Sequence, residues 1–449
     1  MEFELLVIGG GMAGAAAALE ASDLGLNVAL VSEGWGATSL STGAFIVVPR
    51  GGTVGAETGL DHGVESVVKA FPHHPYGIIA AAEGGEPEPA TVGRIFTESV
   101  SRLGDWLKGT GLSVIAPERL DLFLPTAAGS VMRCNAALTS LAESDLHQMS
   151  GQVVAVVGFE GWRDLDPHEV AAGLAQSISR WDSIEVEFRP LSVSFGVDAN
   201  ASPLALAGLF DSSPTRDRFL DSLATALEAE PERPGHVLLP PVMGLRRSMQ
   251  TLNHLSENLG VDCSELTPVG ASAPGFRLQT ALDEALRSRG VAVLQGSASG
   301  AVADGRVSSV DVKLDGALEE VRAQAYILAT GKYLGGGILL EHALCETVFG
   351  MQPVCKGSER QLVLPDDVLD RDYIGPHPLM SAGLRVDSML RPVDEDGVPR
   401  CEDLYIAGSL IEGCDLGAGV GLGGTLVTGR LAARVVRKLV SGGEEGRDG

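Results

Sequence analysis

A glycine motif directly after the first apolar segment constrains the fold of this chain most strongly. Residues 3–8 form a short apolar run typical of a buried parallel strand, and the run ends in the G-x-G-x-x-G pattern of Gly9, Gly11 and Gly14. The alanine-rich stretch 15–24 that follows favours a helix, and a second apolar strand comes after it. This βαβ pattern predicts a Rossmann-type unit that binds a pyrophosphate at the helix N-terminus.

The sequence departs from the usual pattern at the residue expected to contact the adenosine ribose. In such a unit that residue is acidic and lies about twenty positions after the glycines. Here the position falls on Ser32, and Glu33 follows it. Both side chains are candidates for the ribose contact, because a hydroxyl and a carboxylate can each accept a hydrogen bond from a sugar hydroxyl. The sequence therefore leaves open whether the cofactor is a dinucleotide or a smaller mononucleotide.

Two later segments distinguish a flavin site from a nicotinamide site. One apolar run leads into Thr330 and Gly331, and another leads into Gly408 and Ser409. A glycine-rich stretch and a further helix follow, and backbone donors at such a helix start can approach a planar isoalloxazine ring and stabilise its reduced anion. The candidate contacts in that stretch are Asp415, Gly423, Gly424 and Thr425.

The length and the order of these motifs predict the domain organisation. A chain of 449 residues is expected to contain two or more packed units. We predict an α/β fold whose Rossmann-like flavin-binding domain is discontinuous. The predicted segments are 1–110, 270–335 and 396–449 for the flavin domain, 111–269 for an inserted α/β cap or substrate domain, and 336–395 for a second excursion that completes the site.

Charge and cysteine content exclude several classes of function. The chain has 59 acidic and 33 basic residues, a net charge of −26, which argues against a nucleic-acid partner because a duplex binder must neutralise phosphates. Its six cysteines include no Cys-x-x-Cys pair. Iron–sulfur clusters and structural zinc sites usually need closely spaced thiolates, so we expect no metal in this chain.

The N-terminus runs directly into the first strand, and no apolar run reaches the ~18 residues needed to cross a bilayer. We therefore expect a cytoplasmic protein without a cleaved leader. Any membrane association is expected to come through a partner.

Taken in order, these motifs resemble the two-domain flavoproteins of the succinate dehydrogenase and fumarate reductase group. Several segments are similar, more particularly, to the B-type subunit of anaerobic glycerol-3-phosphate dehydrogenases. The segments that carry this closer resemblance are 39–43, 74–76 (His-Pro-Tyr), 156–161, 239–245 and 277–279.

The resemblance implies a flavin-dependent subunit of a respiratory complex that oxidises sn-glycerol 3-phosphate to dihydroxyacetone phosphate. It implies FAD as the cofactor, with FMN possible, and it adds Ser41, Thr42 and Gly43 to the candidate cofactor contacts. The implied partners are a catalytic flavoprotein subunit and an iron–sulfur subunit that anchors the complex at the inner face of the membrane. Two alternatives stay open: a non-catalytic electron-relay or assembly subunit, and a stand-alone flavoprotein of the fumarate reductase type.

Oxidation of a phosphorylated alcohol needs a base for the hydroxyl proton and cations for the phosphate. The candidates are His377, Arg277 and Arg391. Each has a simpler interpretation: His377 as a surface loop residue, Arg277 as half of a structural ion pair, and Arg391 as the anchor of a strand edge. His73 and His74 precede a proline without a third metal ligand nearby, so we do not expect them to bind metal.

Overall fold

A computed structural model gives the positions of most of the chain. It describes residues 1–46, 74–82, 89–118, 121–179, 183–270, 272–340, 343–355, 377–414 and 421–445.

The strands of the described residues form two main sheets and several short ones. They are β1 (Glu2–Ile8), β2 (Val28–Ser32), β3 (Ala44–Phe45), β4 (Val114–Ile115), β5 (Leu122–Pro125), β6 (Val131–Cys134), β7 (Ala136–Leu138), β8 (Gln152–Phe159), β9 (Val186–Val193), β10 (His236–Leu239), β11 (Asp262–Glu265), β12 (Ala292–Ala303), β13 (Arg306–Leu314), β14 (Ala317–Glu320), β15 (Arg322–Leu328), β16 (Ile338–Leu340), β17 (Leu344–Glu346) and β18 (Leu404–Ile406).

The α-helices range from single turns to a long C-terminal helix. They are α1 (Met12–Asp23), α2 (Pro75–Ala82), α3 (Pro89–Leu107), α4 (Thr139–Ala142), α5 (Pro167–Ile178), α6 (Pro203–Phe210), α7 (Ser213–Glu228), α8 (Ser248–Leu259), α9 (Ala273–Ser288), α10 (Pro378–Ser381) and α11 (Leu422–Glu445). Short 3₁₀ helices lie at Ala37–Leu40 and Gly408–Leu410.

The larger sheet has seven strands in the order β14-β13-β12-β2-β1-β15-β18. The five strands from β12 to β18 run parallel, while β13 and β14 extend the sheet as antiparallel neighbours. The register pairs Ile8 with Val31 and with Leu328, and Leu328 with Ile406. Because these strands are parallel and their last residues pair in register, their carboxyl ends lie at one edge of the sheet.

Helix α1 follows β1 and packs against both the larger sheet and α11. Its residues 15–18 are all alanine and fully buried, so the helix backbone packs closely against its neighbours. At its C-terminal half, Glu20 accepts hydrogen bonds from Arg430 and Arg434 of α11. Burial alone would raise the pKa of Glu20, but the two guanidinium groups outweigh it and the pKa is lowered. This charged contact fixes α1 against α11.

The smaller sheet belongs to the inserted segment and is entirely parallel, in the order β11-β10-β8-β9. Its hydrophobic core draws on side chains between residues 146 and 273 and is separate from the core under the larger sheet. Residues 122–142, which the sequence assigned to the insert, contribute to both cores: most of their buried side chains belong to the core of the larger sheet, while Phe123, Ala127 and Val131 pack against the core of the insert. The strand 152–158 expected in the insert is present as β8.

The α/β prediction is confirmed. The predicted strand at 3–8 and helix at 15–24 correspond to β1 and α1, and the helix begins three residues earlier than expected because Gly11 serves as its N-cap. Among the described residues, no helix combines the length and the apolar character needed to span a membrane.

Candidate functional site

Four strand ends meet at the carboxyl edge of the larger sheet. Strand β1 leads into Gly9, β2 ends at Ser32, β15 leads towards Thr330 and β18 towards Gly408. Three glycine-containing segments, which follow β1, β15 and β18, therefore converge from distant parts of the sequence. Ligands of open parallel sheets bind outside this edge. The convergence makes it the candidate functional site.

The turn between β1 and α1 accepts only glycine at two of its positions. Gly9 has a φ of 116°, and a Cβ on it would overlap the carbonyl group of Ala329. A Cβ on Gly14 would overlap the carbonyl oxygen of Gly9. Gly11 is the N-cap of α1 and has no side chain to cap the helix, an arrangement that suits a phosphate at the helix N-terminus. The nearby Met12 N–H donates to Thr38 Oγ1 at 2.9 Å.

Ser32 and Glu33 occupy different positions at the end of β2. The Ser32 hydroxyl donates to the carbonyl oxygen of Gly34 at 3.0 Å, and a Cβ on Gly10 would come within 2.5 Å of Ser32 Oγ. Glu33 is exposed, and its carbonyl oxygen accepts a hydrogen bond from Gln295 Nε2 at 3.2 Å. Ser32 therefore lies directly against the glycine turn, while the Glu33 carboxylate extends towards solvent.

The segment after the first 3₁₀ helix contains three further candidate cofactor contacts, Ser41, Thr42 and Gly43. Ser41 Oγ donates to the carbonyl oxygen of Thr38 at 2.7 Å, and Thr42 Oγ1 accepts from Ala44 N–H at 3.2 Å. Gly43 has a φ of 81°. The start of α9 packs on this segment so closely that a Cβ on Gly275 would come 2.5 Å from the carbonyl oxygen of Ser41. Close backbone packing against α9 thus fixes the position of residues 41–43.

The segments that follow β15 and β18 lie side by side. Gly331 and Gly408 have φ values of 74° and 76°, and a Cβ on Gly331 would come 3.6 Å from Ser409 Oγ. Gly408 N–H donates to Thr428 Oγ1 of α11 at 3.0 Å. Thr330 Oγ1 is buried and has no hydrogen-bond partner among the described residues. A buried hydroxyl without a partner can form a hydrogen bond with a polar atom of a bound ligand.

The N-terminus of α11 also lies beside the segment that follows β18. A Cβ on Gly408 would lie within 4 Å of both Ala13 in α1 and Thr425 in α11. Gly423 and Gly424 belong to the first turn of α11. Two helix N-termini therefore point at one site, which suits a ligand with a pyrophosphate and a second electron-rich group. Asp415, the remaining candidate of this stretch, lies outside the described residues.

A buried lysine next to these turns was missed by the sequence-based predictions. Lys332 follows Thr330 and Gly331 and is only 6 % exposed, whereas the other lysines that the structure describes are exposed. Its Nζ donates to the carbonyl oxygens of Met380 at 2.6 Å and Cys414 at 2.7 Å. The sequence did contain a signal for this residue, namely its position directly after a strand-to-turn motif. A charged side chain there must either point into the candidate site or reach solvent.

His74 is buried beside Lys332 and is the first residue of the His-Pro-Tyr segment. Its ring lies edge-on to Tyr76, with 4.4 Å between ring centroids, and its Nδ1 accepts from Tyr76 N–H at 3.1 Å. Burial, together with the positive charge of Lys332, lowers the pKa of His74 to about 3. His74 is therefore neutral at physiological pH.

Arg277 lies at the junction of the two domains. It is almost fully buried, and its guanidinium donates to both carboxylate oxygens of Glu265, at 2.6 and 2.9 Å, and through Nε to the carbonyl oxygen of Gly244. Glu265 also accepts from Met243 N–H. These contacts join α9 to the end of β11 and the segment after β10. The catalytic assignment of Arg277 stays a prediction.

The other two predicted catalytic residues, His377 and Arg391, each bind a group close to them in the sequence. His377 caps α10 by accepting from Leu379 N–H at Nδ1, at 3.2 Å, and is half-buried three residues before Met380, whose carbonyl oxygen binds Lys332. Arg391 pairs with Asp387, with Nη2 at 2.8 Å from the carboxylate. Their catalytic roles also stay predictions.

Similarity to known proteins extends over nearly the whole chain. A family model described as "FAD binding domain" matches residues 4–424. A protein of Halobacterium salinarum, named as the probable B-type subunit of an anaerobic glycerol-3-phosphate dehydrogenase, is 27% identical over 97% of this chain and 99% of its own length. The protein of the same name in Vibrio vulnificus, there without the word "probable", is 26% identical over 96% of this chain and 95% of its own. A solved 3-ketosteroid Δ1-dehydrogenase from Sterolibacterium denitrificans covers 98% of this chain and 100% of its own at 13% identity, with a TM-score of 0.42.

Proposed function

The chain belongs to the FAD-binding domain family whose model spans residues 4–424, and from that premise we propose that it is the flavin-bearing B-type subunit of a respiratory sn-glycerol-3-phosphate dehydrogenase complex. FAD is its cofactor, and the chain is a flavin oxidoreductase by family. The observation that carries the finer proposal is the end-to-end similarity to proteins named as this subunit, which covers 97% of this chain in the Halobacterium salinarum relative. The proposed reaction yields dihydroxyacetone phosphate.

The described residues fit FAD better than FMN. FMN lacks the second phosphate and the adenosine, so it would leave the glycine turn at Gly9, Gly11 and Gly14 without the pyrophosphate that the turn is shaped to receive. We propose Ser32 as the ribose contact, with Glu33 as the alternative; the position of Ser32 beside Gly10 supports this choice. Thr330 Oγ1, buried without a partner among the described residues, would donate to or accept from the cofactor.

FAD supplies a two-electron acceptor for the alcohol carbon. The protein's part is to hold that acceptor rigidly and to stabilise negative charge near it. The N-terminus of α11, with Gly423, Gly424 and Thr425, supplies backbone N–H groups and the positive end of the helix dipole. Ser409 and Gly331 line the adjoining strand ends without bulky side chains.

We propose that electrons leave this chain for an iron–sulfur partner subunit that holds the complex at the inner face of the membrane, beside a second, catalytic flavoprotein subunit. The thiols of this chain support that assignment of the cluster to a partner. The six cysteines of the sequence include no Cys-x-x-Cys pair, the spacing that iron–sulfur ligation commonly uses.

One observation favours the alternative of an electron-relay or assembly subunit. The two arginines predicted to bind the substrate phosphate, Arg277 and Arg391, are both engaged by carboxylates of the chain itself. A phosphate would have to displace Glu265 or Asp387 to reach them. In a relay subunit the flavin would exchange electrons only with protein partners, and no phosphate site would be needed.

The test begins with the purified full chain. Acid release and chromatography of the flavin should yield FAD, and anaerobic addition of sn-glycerol 3-phosphate should bleach the bound flavin. The enantiomer, sn-glycerol 1-phosphate, is the matched control. Bleaching only in the presence of the partner subunits would favour the relay function. A chain that neither contains nor takes up a flavin would overturn both.

A further inference from the structure

Helix α9 places one glutamine side chain directly on the glycine turn that follows β1. Gln279 is almost fully buried, and its Nε2 donates to the carbonyl oxygen of Gly10 at 3.0 Å. The same nitrogen donates to Asp283 Oδ1, one helical turn further along α9, at 2.9 Å. A carbonyl and a carboxylate only accept hydrogen bonds, so the amide nitrogen must be the atom that faces both of them. Gln279 therefore links α9 to the backbone of the turn.

Asp283 is bound from its other side by an aromatic residue of the segment after β2. Trp35, three residues beyond the end of β2, donates from Nε1 to Asp283 Oδ2 at 3.0 Å. Its ring also lies edge-on to Phe276 of α9, with 4.9 Å between ring centroids. Each oxygen of Asp283 thus has its own donor. The side chains of Trp35, Asp283 and Gln279 form a continuous series of hydrogen bonds from the end of β2 to the turn after β1.

The bond to Gly10 determines the direction of the next N–H group. The Gly10 carbonyl and the Gly11 N–H belong to one trans peptide, in which C=O and N–H point in opposite directions. A carbonyl held towards Gln279 therefore turns the Gly11 N–H away from α9. The following donor, the Met12 N–H, is bound to Thr38 Oγ1 at 2.9 Å. A phosphate at this turn must be bound by other N–H groups, and the Gly11 N–H is one of them.

We propose that Gln279 and Asp283 are positioning residues for the cofactor. Asp283 holds the Gln279 amide, and the amide holds the Gly10–Gly11 peptide in the orientation in which the Gly11 N–H donates to the pyrophosphate. Neither side chain has to touch the cofactor. A peptide that is fixed before the cofactor arrives loses little conformational freedom on binding, so its orientation adds to affinity. The proposal rests on the placement of the pyrophosphate at this turn, as given under the proposed function.

The test uses the full chain and three readouts: fluorescence titration of the apo chain with FAD, the two pyrophosphate ³¹P resonances of bound FAD, and the visible absorbance of the bound flavin. Gln279→Met removes the amide and keeps the length of the side chain. Asp283→Leu removes the acceptor that holds the amide. Gln152→Met is the matched control, because Gln152 Nε2 also donates to a backbone carbonyl at 3.0 Å, that of Gln148, but lies in the inserted domain.

We expect Gln279→Met to bind FAD about tenfold more weakly and Asp283→Leu about threefold more weakly. In Gln279→Met at least one ³¹P resonance should move towards its position in free FAD, while the visible absorbance of the flavin keeps its wild-type shape. Because Asp283 acts through Gln279, the double variant should bind FAD no more weakly than Gln279→Met alone. Gln152→Met should match the wild type in all three readouts.

The positioning role is overturned if Gln279→Met keeps the wild-type ³¹P resonances, whether its FAD affinity is unaltered or lowered, because a loss of affinity alone would show a general effect on the fold. Additive losses in the double variant would contradict the action of Asp283 through Gln279. Should Gln279→Met take up no FAD, Asp283→Leu decides: a shifted resonance supports the proposal, and wild-type resonances with wild-type affinity contradict it.

The wild-type spectrum tests the premise separately. If both ³¹P resonances of FAD bound to the wild type coincide with those of free FAD, the placement of the pyrophosphate at the turn fails, and the positioning role fails with it. None of these readouts uses the substrate, so failure of the proposed oxidation of sn-glycerol 3-phosphate would leave the result unaffected.

Discussion

Gly429 of α11 lies directly against the backbone of Ala13 in α1, and a Cβ on Gly429 would overlap the Ala13 carbonyl oxygen. Ala13 is in the first turn of α1, next to the glycines that we propose bind the pyrophosphate. The close crossing of the two helices therefore determines how near the start of α11 comes to the start of α1. Gly429 thus sets the distance between the N-termini of α1 and α11, which both favour anions.

Replacing Gly429 by alanine should separate the two helices. We expect Gly429→Ala to lower the free energy of unfolding by about 1–3 kcal/mol and to weaken FAD retention, because the contact is with backbone that cannot move aside. Urea unfolding and the flavin-to-protein absorbance ratio measure the two effects. Gly208→Ala in α6 is the control, since a Cβ there meets only the Leu245 side chain at 3.7 Å. Equal behaviour of the two variants would contradict the crossing model.

The Arg277–Glu265 pair should act as a structural joint between the domains. Arg277→Met leaves the fully buried Glu265 carboxylate without its cation, and we expect a loss of about 3–5 kcal/mol in unfolding free energy. Arg391→Met breaks a more exposed pair with Asp387 and should cost at most about 1 kcal/mol. The double change Arg277→Met with Glu265→Leu should recover much of the stability. A double variant that is no more stable than Arg277→Met would contradict the role of this pair as a structural joint.

The Thr330 hydroxyl should contribute to cofactor affinity. Thr330→Val keeps the shape of the side chain and removes the buried, unpartnered oxygen, so we expect about three- to tenfold weaker FAD binding with the stability of the apo chain unchanged or slightly increased. Fluorescence titration of the apo chain with FAD measures the affinity. Thr267→Val is the control, because its hydroxyl is also buried without a partner among the described residues but lies at the end of the inserted domain, beside Pro125. An unaltered FAD affinity in Thr330→Val would remove this residue from the cofactor site.

The buried histidines should make the chain sensitive to acid. Burial lowers the pKa of His236 to about 4, and that of His74 to about 3, against about 6.5 in an unfolded chain. Below pH 6.5 the unfolded state therefore binds protons that the folded state does not, and stability falls as the pH falls. Each histidine should cost up to about 2 kcal/mol between pH 6.5 and pH 5.

Thermal unfolding at pH 7 and pH 5 checks this dependence. His236→Gln should reduce the difference between the two pH values, whereas replacing the exposed His168 by glutamine should not. A difference that is the same in wild type and His236→Gln would show that other groups control the acid sensitivity.

Some parts of the site were readable from local sequence because their physics is local. A strand followed by glycines and an alanine helix has few alternatives, since the turn at Gly9 requires a positive φ and Gly14 touches the Gly9 carbonyl. The turns at Gly331 and Gly408 follow the same logic, and both have positive φ. The position of Ser32 against Gly10, with Glu33 exposed, was not readable from local sequence, because it depends on how the end of β2 meets the glycine turn in the folded chain.

The sequence by itself therefore determined the βαβ unit, the flavin family and the glycine turns that we propose for the cofactor. Only the tertiary structure decided which distant residues meet: Glu20 with Arg430 where α1 contacts α11, and Ala13 with Gly429 where the same two helices cross. The reason is physical. Glycine turns and apolar strands are specified by neighbouring residues, whereas burial of a charge and the partner it finds depend on contacts between segments hundreds of residues apart.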